Sequence, residues 1–205
     1  MCREYVYVYD GSFEGMLCCI YESFLRKEIP IAIESEVHGG RSCFTMKKIE
    51  TDEKKSDYIS HIVREKISLR ASELIEHAFL SDLPEKEFHI LYFIRLGLKY
   101  GEKVLEMRYQ EDVESLFYAE SKLLREAHAM SGLIKFYKEG GLLTAKISPK
   151  NNILPLLAAH LCRKMSGRDF AVYDSTHGTV FVQKDGIKKF IMNTALQKKL
   201  IIDIS

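Results

Sequence analysis

The sequence predicts an α+β fold: an N-terminal β-α-β unit, a helical middle, and a C-terminal β-hairpin–helix–β-hairpin. Three observations carry that prediction. Tyr and Val alternate from Tyr5 to Tyr9 and give way, through Asp10-Gly11-Ser12, to apolar residues at helical spacing. The middle holds long stretches whose apolar residues recur every three or four positions, and after Met130 the apolar period drops to two.

Tyr5 to Tyr9 suits a strand, because aromatic and β-branched side chains fit a pleated surface. Gly11 ends it and Ser12 can cap a helix. Phe13, Met16, Leu17, Ile20 and Phe24 then mark one core-facing stripe. Ile29 to Ile33 is the second strand, opened by Pro30, and a parallel crossover follows from that order. The polar stretch Val37 to Lys55, with Gly39-Gly40, reads as a loop or a short extended piece.

Two long helices come next. The first is expected over Asp57 to Phe79. The second starts at "SDLPEKEF", where Asp82 and Glu85 stand at capping-box spacing. Its centre, "FHILYFIRLGLKYG", is apolar on nearly every side and is expected to be the most buried helix. A further helix covers about Gln110 to Ala129. "LIKFYKE" and "LLTAKIS" are strands joined through Gly140-Gly141. "SPKNNILPLLAAHLCRKM" becomes a helix with Pro155 in its first turn, where a missing N–H costs little. "DFAVYDSTHGTVFVQKDG" is a second hairpin turning at Ser175 to Gly178.

A chain of 205 residues with 46% apolar composition can bury a real core. One compact body over 1–205 is expected, with sub-parts 1–118 and 119–205. No apolar run is long enough to span a bilayer. Met1 to Glu4 lead straight into a strand pattern, and the five cysteines have no regular spacing, so a cytoplasmic protein without a disulfide framework is expected.

Charge is unevenly spread. Residues 1–118 hold 16 Lys+Arg against 22 Asp+Glu, a net −6, and residues 119–205 hold 14 against 7, a net +7. The second part therefore suits an anionic partner such as nucleic acid, or an internal interface that neutralises the first. Its cations include Arg125, Lys135, Lys138, Lys146, Lys150, Arg163, Lys164, Arg168, Lys184, Lys188 and Lys189, interleaved with Phe136, Tyr137, Phe170 and Tyr173. Cations beside aromatic faces fit phosphate contacts and base stacking. An ordinary solvated face over an aromatic core reads the same way.

Metal and cofactor chemistry finds little support. Cys18 and Cys19 are adjacent in a helix, point about 100° apart and lie between Leu17 and Ile20, so they read as buried small side chains. No CxxC, CxxxCxxC or HExxH occurs, and no metal or cofactor site is expected in this chain. The Asp10-Gly11-Ser12 turn has one glycine and no P-loop lysine, and Asp10 and Glu14 would repel an anion; architecture is the better reading. Of the seven histidines, His128 precedes the first hairpin and His160 follows it. They could meet near Lys135, Arg163 and Lys164 as an acid/base pair, or each could serve as a cap or a core hydrogen bond.

Four stretches together resemble a known family: "YVYDGSFEGMLCCIYE", "HILYFIRLGLKYG", "REAHAMSGLIKF" and "AKISPKNNILPLLAAHLCRK". The chain is similar over essentially its whole length to DNA-metabolism and DNA-repair proteins associated with a radical SAM enzyme. That domain has no assigned function and also occurs fused to uracil-DNA-glycosylase-like domains. The resemblance implies DNA as substrate and a radical SAM protein as partner, with the iron–sulfur cluster outside this chain. The family's histidine before the hairpin matches His128, and the histidine of its Pro-x-x-x-x-His helix matches His160, preceded by Asn151 and Asn152. Lys135 stands where the family often has Arg and lacks the bidentate fork. Phe170 and the "STHG" turn stand where it usually has Trp and Arg.

The expected function is an accessory DNA-binding component of a repair or modification system. The nucleic-acid-binding candidates are Lys135, Lys146, Lys150, Asn151, Asn152, Arg163 and Lys164. The alternatives are a DNA-processing enzyme using His128 and His160, and a scaffold that touches only its partner.

Overall fold

A computed structural model describes residues 5–36, 44–139 and 141–192. Cys2, His38, Gly39, Gly40, Cys43 and Gly140 lie outside them. The fold is α+β. The chain divides into two compact units. The first holds the described residues up to Phe79 with Leu83–Glu120, and the second holds Leu80–Asp82 with those from Ser121 onward.

In the first unit, strand β1 (Tyr5–Tyr9) leads into helix α1 (Phe13–Arg26), then β2 (Ala32–Ser35) and β3 (Thr45–Lys48). β1 is the centre of a three-stranded sheet of order β2-β1-β3, and both neighbours run parallel to it. β2 begins later than its apolar run suggested. Pro30 lacks an N–H, and the first ladder bond comes from Ile31 N–H to Tyr5 C=O. β3 is the short extended piece that the stretch Val37 to Lys55 allowed as an alternative to a loop; "TMKK" has no apolar alternation because three of its four residues are exposed. α1, not the later helix expected to be the most buried, has the longest buried run, including Met16, Leu17, Cys18, Cys19 and Ile20.

The opening turn is architecture. Asp10 Oδ1 accepts from Ser12 N–H at 2.9 Å and Ser12 Oγ at 2.6 Å, and its Oδ2 accepts from Thr51 Oγ1 at 2.8 Å. Ser12 Oγ in turn accepts from Gly15 N–H, capping α1. A Cβ on Gly15 would lie 2.3 Å from Asp10 Oδ1. Cys18 Sγ sits against the Asp52 backbone at 3.3 Å, and both adjacent thiols are buried.

The single helix expected over Asp57 to Phe79 is two: α2 (Glu53–Ile62) and α3 (Leu69–Leu80), with a π-helical turn over Val63–Ile67. Ser68 breaks the path in extended conformation (φ −177°, ψ 167°), and its Oγ accepts from Ala71 N–H. The wider turn places Ile67 against Gly97, where a Cβ would meet Ile67 Cδ1 at 2.3 Å. The next helix, α4 (Lys86–Tyr100), starts at Glu85 (φ 51°) without a side-chain cap. The Asp82 capping box is thus not formed. Pro84 holds Leu83 out of helical conformation, and Asp82 N–H is given to Asn151 Oδ1 at 2.9 Å. α5 (Glu111–Leu133) follows, and the boundary between the units falls inside it.

In the second unit, β4 (Tyr137–Glu139) and β5 (Leu142–Ile147) form the first hairpin, α6 (Leu154–Lys164) carries Pro155 in its first turn, and β6 (Phe170–Asp174) and β7 (Thr179–Lys184) form the second. β8 (Ile187–Met192) adds a strand that the sequence reading lacked. The two hairpins join into one five-stranded sheet, β4-β5-β6-β7-β8, because β5 and β6 pair in parallel across the α6 crossover. Leu154, Leu157, Ala158 and Leu161 of α6 pack on Ala145, Ile147, Phe170, Val172 and Phe181. Among the described residues, no helix is long and apolar enough to cross a membrane.

Candidate nucleic-acid interface

All twelve Lys and Arg between Ser121 and Met192 are exposed. Among the described residues, no ion pair holds Arg125, Lys135, Lys138, Lys146, Lys150, Arg163, Lys164, Arg168, Lys184, Lys188 or Lys189. Three acids of this unit, Asp174, Asp169 and Glu126, are spent on its own backbone and side chains. Asp174 is fully buried. Asp169 Oδ1 accepts from Asp185 N–H at 3.0 Å, fixing the β7–β8 turn. Glu126 of α5 accepts from Lys150 N–H at 2.8 Å, Asn151 N–H at 3.0 Å and Asn151 Nδ2 at 2.6 Å. Burial works to raise the Glu126 carboxyl, but those hydrogen bonds prevail and hold it below the usual carboxylate range. The outward field of the unit is therefore more positive than its formal charge.

The candidate residues divide by what holds them. Lys135, Lys146, Lys150, Arg163 and Lys164 are exposed side chains open to phosphate. Asn151 is buried, and its carboxamide is committed at both ends, donating to Glu126 and accepting from Asp82 N–H. It shapes the loop rather than presenting a donor outward. Asn152 donates its N–H to Leu80 C=O at 2.8 Å, and its Oδ1 is buried with no partner among the described residues. Lys146 pairs in register with Tyr173, so cation and ring share one face of the sheet.

His128 and His160 are both exposed, so neither is a core hydrogen-bonding histidine. Among the described residues no hydrogen bond reaches either ring. The imidazoles with carboxylate partners are others. His77 Nδ1 meets Glu120 Oε1 at 2.8 Å, and His89 Nδ1 meets Asp112 Oδ1 at 2.8 Å. His177 Nδ1 meets Asp174 Oδ2 at 2.7 Å, while Asp174 Oδ1 accepts from Thr176 N–H at 2.9 Å and His177 N–H at 3.2 Å. Sequence reasoning missed the His177 pair, though its signal was present: "DSTH" places the two three residues apart at a turn. For His77 and His89 the partners are 43 and 23 residues away, and no local pattern marks them.

The Asp174–His177 turn and the Asn151 loop lie at the carboxyl ends of the parallel pair β5 and β6. Ser175 N–H and Oγ each donate to Ile147 C=O at 3.0 Å, tying the two ends together. Carboxyl ends of parallel strands are where open sheets gather ligand-binding loops. Among the described residues, no group of three His, Cys, Asp or Glu is placed to hold a metal ion.

A family model for DUF4130, a domain of unknown function, matches residues 84–200. The match spans more than half of the chain, and the chain belongs to that family. No curated protein matches it.

Proposed function

We propose that this DUF4130 protein is an accessory DNA-binding component of a DNA repair or modification system, acting with a radical SAM partner. The observation that carries the reading is the set of exposed Lys and Arg side chains from Arg125 to Lys189 that no ion pair holds among the described residues, while Asp174, Asp169 and Glu126 are committed within the unit. Unpaired surface cations keep their full attraction for phosphate, and each phosphate they neutralise releases counterion. Aromatic side chains on the same sheet add stacking surface: Tyr137 is 65% exposed. The radical SAM partner rests on the family resemblance of the four stretches named above.

The test is a DNA titration of the full chain at several salt concentrations, with and without the co-purified radical SAM protein. Affinity is expected to fall steeply with salt, and the partner is expected to stay bound through purification. Affinity that ignores salt, or no DNA binding by either component, would overturn the reading.

A second reading, a DNA-processing enzyme, is favoured by one arrangement. A buried carboxylate on Nδ1 fixes the tautomer and ring orientation of His177, as in general-base pairs. Under it, His177→Gln removes turnover of a DNA substrate while the melting temperature stays within a few degrees of wild type.

A further inference from the structure

The register of the second unit's sheet lines up five residues that are far apart in the chain. Lys138 pairs with Leu143, Leu143 with Phe170, Phe170 with Gln183, and Gln183 with Lys188. They form one row across all five strands, on the face that packs α6. Above this row, by the C-terminal end of α6, runs an open groove of about 780 Å³. Lys138 on edge strand β4, Arg168 just before central strand β6, and Lys188 on edge strand β8 all line it. Four strand spacings separate the two edges, about 19 Å. A cation thus stands at each end of the groove and one at its middle.

We propose that this groove is the track for a single-stranded DNA backbone, with Lys138, Arg168 and Lys188 as its phosphate contacts. The inference rests on the DNA-binding reading above and names the site within it. A line of separated cations matches a chain of phosphates better than one anion, which would need them clustered. The volume lies within the range of small-molecule pockets, so a few nucleotides of single strand can enter while a duplex would rest on the rim. Two acids also line the groove. Asp169 holds the β7–β8 turn through Asp185 N–H, and Asp185 presents its exposed carboxylate to the same space. The lining therefore nets one positive charge, which suits a strand that is held and released. Lys146 and Lys189 fall on alternate positions, pairing with Tyr173 and Val182, and face the other side of the sheet.

The experiment titrates the full chain with a fluorescent oligo-dT, and with a duplex of equal length, at salt concentrations from about 50 to about 200 mM, about a fourfold range. Melting curves verify that each variant is folded. A combined Lys138→Gln, Arg168→Gln, Lys188→Gln variant is expected to bind oligo-dT more weakly and to lower the log–log salt slope by about 2, from about 0.7 per lost single-strand phosphate contact. A first-unit control, Lys54→Gln, Arg64→Gln, Lys103→Gln, is expected to keep the wild-type slope. Asp185→Asn is expected to tighten binding about threefold, the scale of one exposed charge. An unchanged slope in the groove variant, with wild type still binding in a salt-dependent way, would overturn the groove and leave the DNA reading standing. Equal losses for duplex and oligo-dT would overturn the single-strand assignment. Displacement by polyglutamate as readily as by unlabelled oligo-dT would make the groove a site for an acidic protein. If wild type binds neither nucleic acid, both readings fall together.

Discussion

The two units carry the same kinds of charged side chain and use them in opposite ways. In the first, six cations are held by carboxylates among the described residues. Arg26 and Lys55 hold Glu22, Lys47 holds Glu28, Arg70 holds Glu120, and Arg108 holds Glu114. In the second, Glu126, Asp169 and Asp174 hold loops and turns, while among the described residues no ion pair holds the exposed cations from Arg125 to Lys189. Charge in the first unit is largely a device of folding, and on the reading proposed above the second unit's charge serves phosphate binding. A composition count sees only −6 against +7; the pairing shows which charges remain available.

The sharpest way to test that contrast is to strike the most committed carboxylate of the first unit. Glu120 is buried, receives Arg70 through both oxygens, and meets His77 Nδ1. Burial pulls its pKa up, but the hydrogen bonds from His77 and Arg70 and the guanidinium charge outweigh it and hold the carboxyl down to about 2. Glu120→Gln is expected to destabilise the protein by about 3 kcal/mol in a denaturant melt, at the low end for a broken buried pair because Arg70 is 41% exposed. The sign with pH follows. The folded pKa lies below the unfolded value, so this stability is fully present above about pH 5 and is lost as pH falls toward 2. Wild type is expected to lose about 2–3 kcal/mol over that window through this group, and Glu120→Gln to show a flatter profile there.

The next effect belongs to the second unit. Glu126→Ala strips three acceptor contacts from the Lys150–Asn151 loop and strands the Asn151 amide. A cost of about 2 kcal/mol is expected, read as earlier hydrogen exchange at Lys150 and Asn151. Smaller again is Gly15→Ala in α1. Its Cβ would crowd Asp10 Oδ1, while alanine raises helix propensity, and a net loss of about 1 kcal/mol in a melt is expected. The smallest effect is the most informative about the contrast. A combined Lys146→Gln, Arg163→Gln, Lys164→Gln variant is expected to keep the wild-type melting temperature, because these side chains are exposed and no described ion pair holds them. A clear drop would mean that they serve the fold after all.

Local patterns made much of this molecule legible. Gly11 and Ser12 mark the start of α1, Pro155 the first turn of α6, and Ser175 to Gly178 the β6–β7 turn, each through chemistry confined to a few residues. Most of the differences share a cause, β8 excepted, since its Asp185-Gly186 turn is local. β3 pairs with β1 across some forty positions, and the β5–β6 pairing is parallel, so neither leaves a turn signal. The break at Ser68 depends on the space beside Gly97 in another helix, and the lost cap at Asp82 on Asn151 far downstream. The site was legible as a basic composition, not as geometry. That Lys138 and Lys188 share a row follows from register alone, and that Asn151 is committed inward follows from Glu126 and Asp82.

Leu80–Asp82 belong to the second unit although the chain then returns to the first. Leu80 C=O receives Asn152 N–H, and Asp82 N–H reaches Asn151 Oδ1. This has a consequence for synthesis. A growing chain leaves the ribosome with these three residues long before the loop that binds them, so they must wait unpaired while α4 and α5 are made. The first unit can mature early; the second closes only after the Asn151 loop has emerged. A gene cut inside α5 would not free a finished module, since the downstream fragment would lack the strap that completes its Asn151 loop.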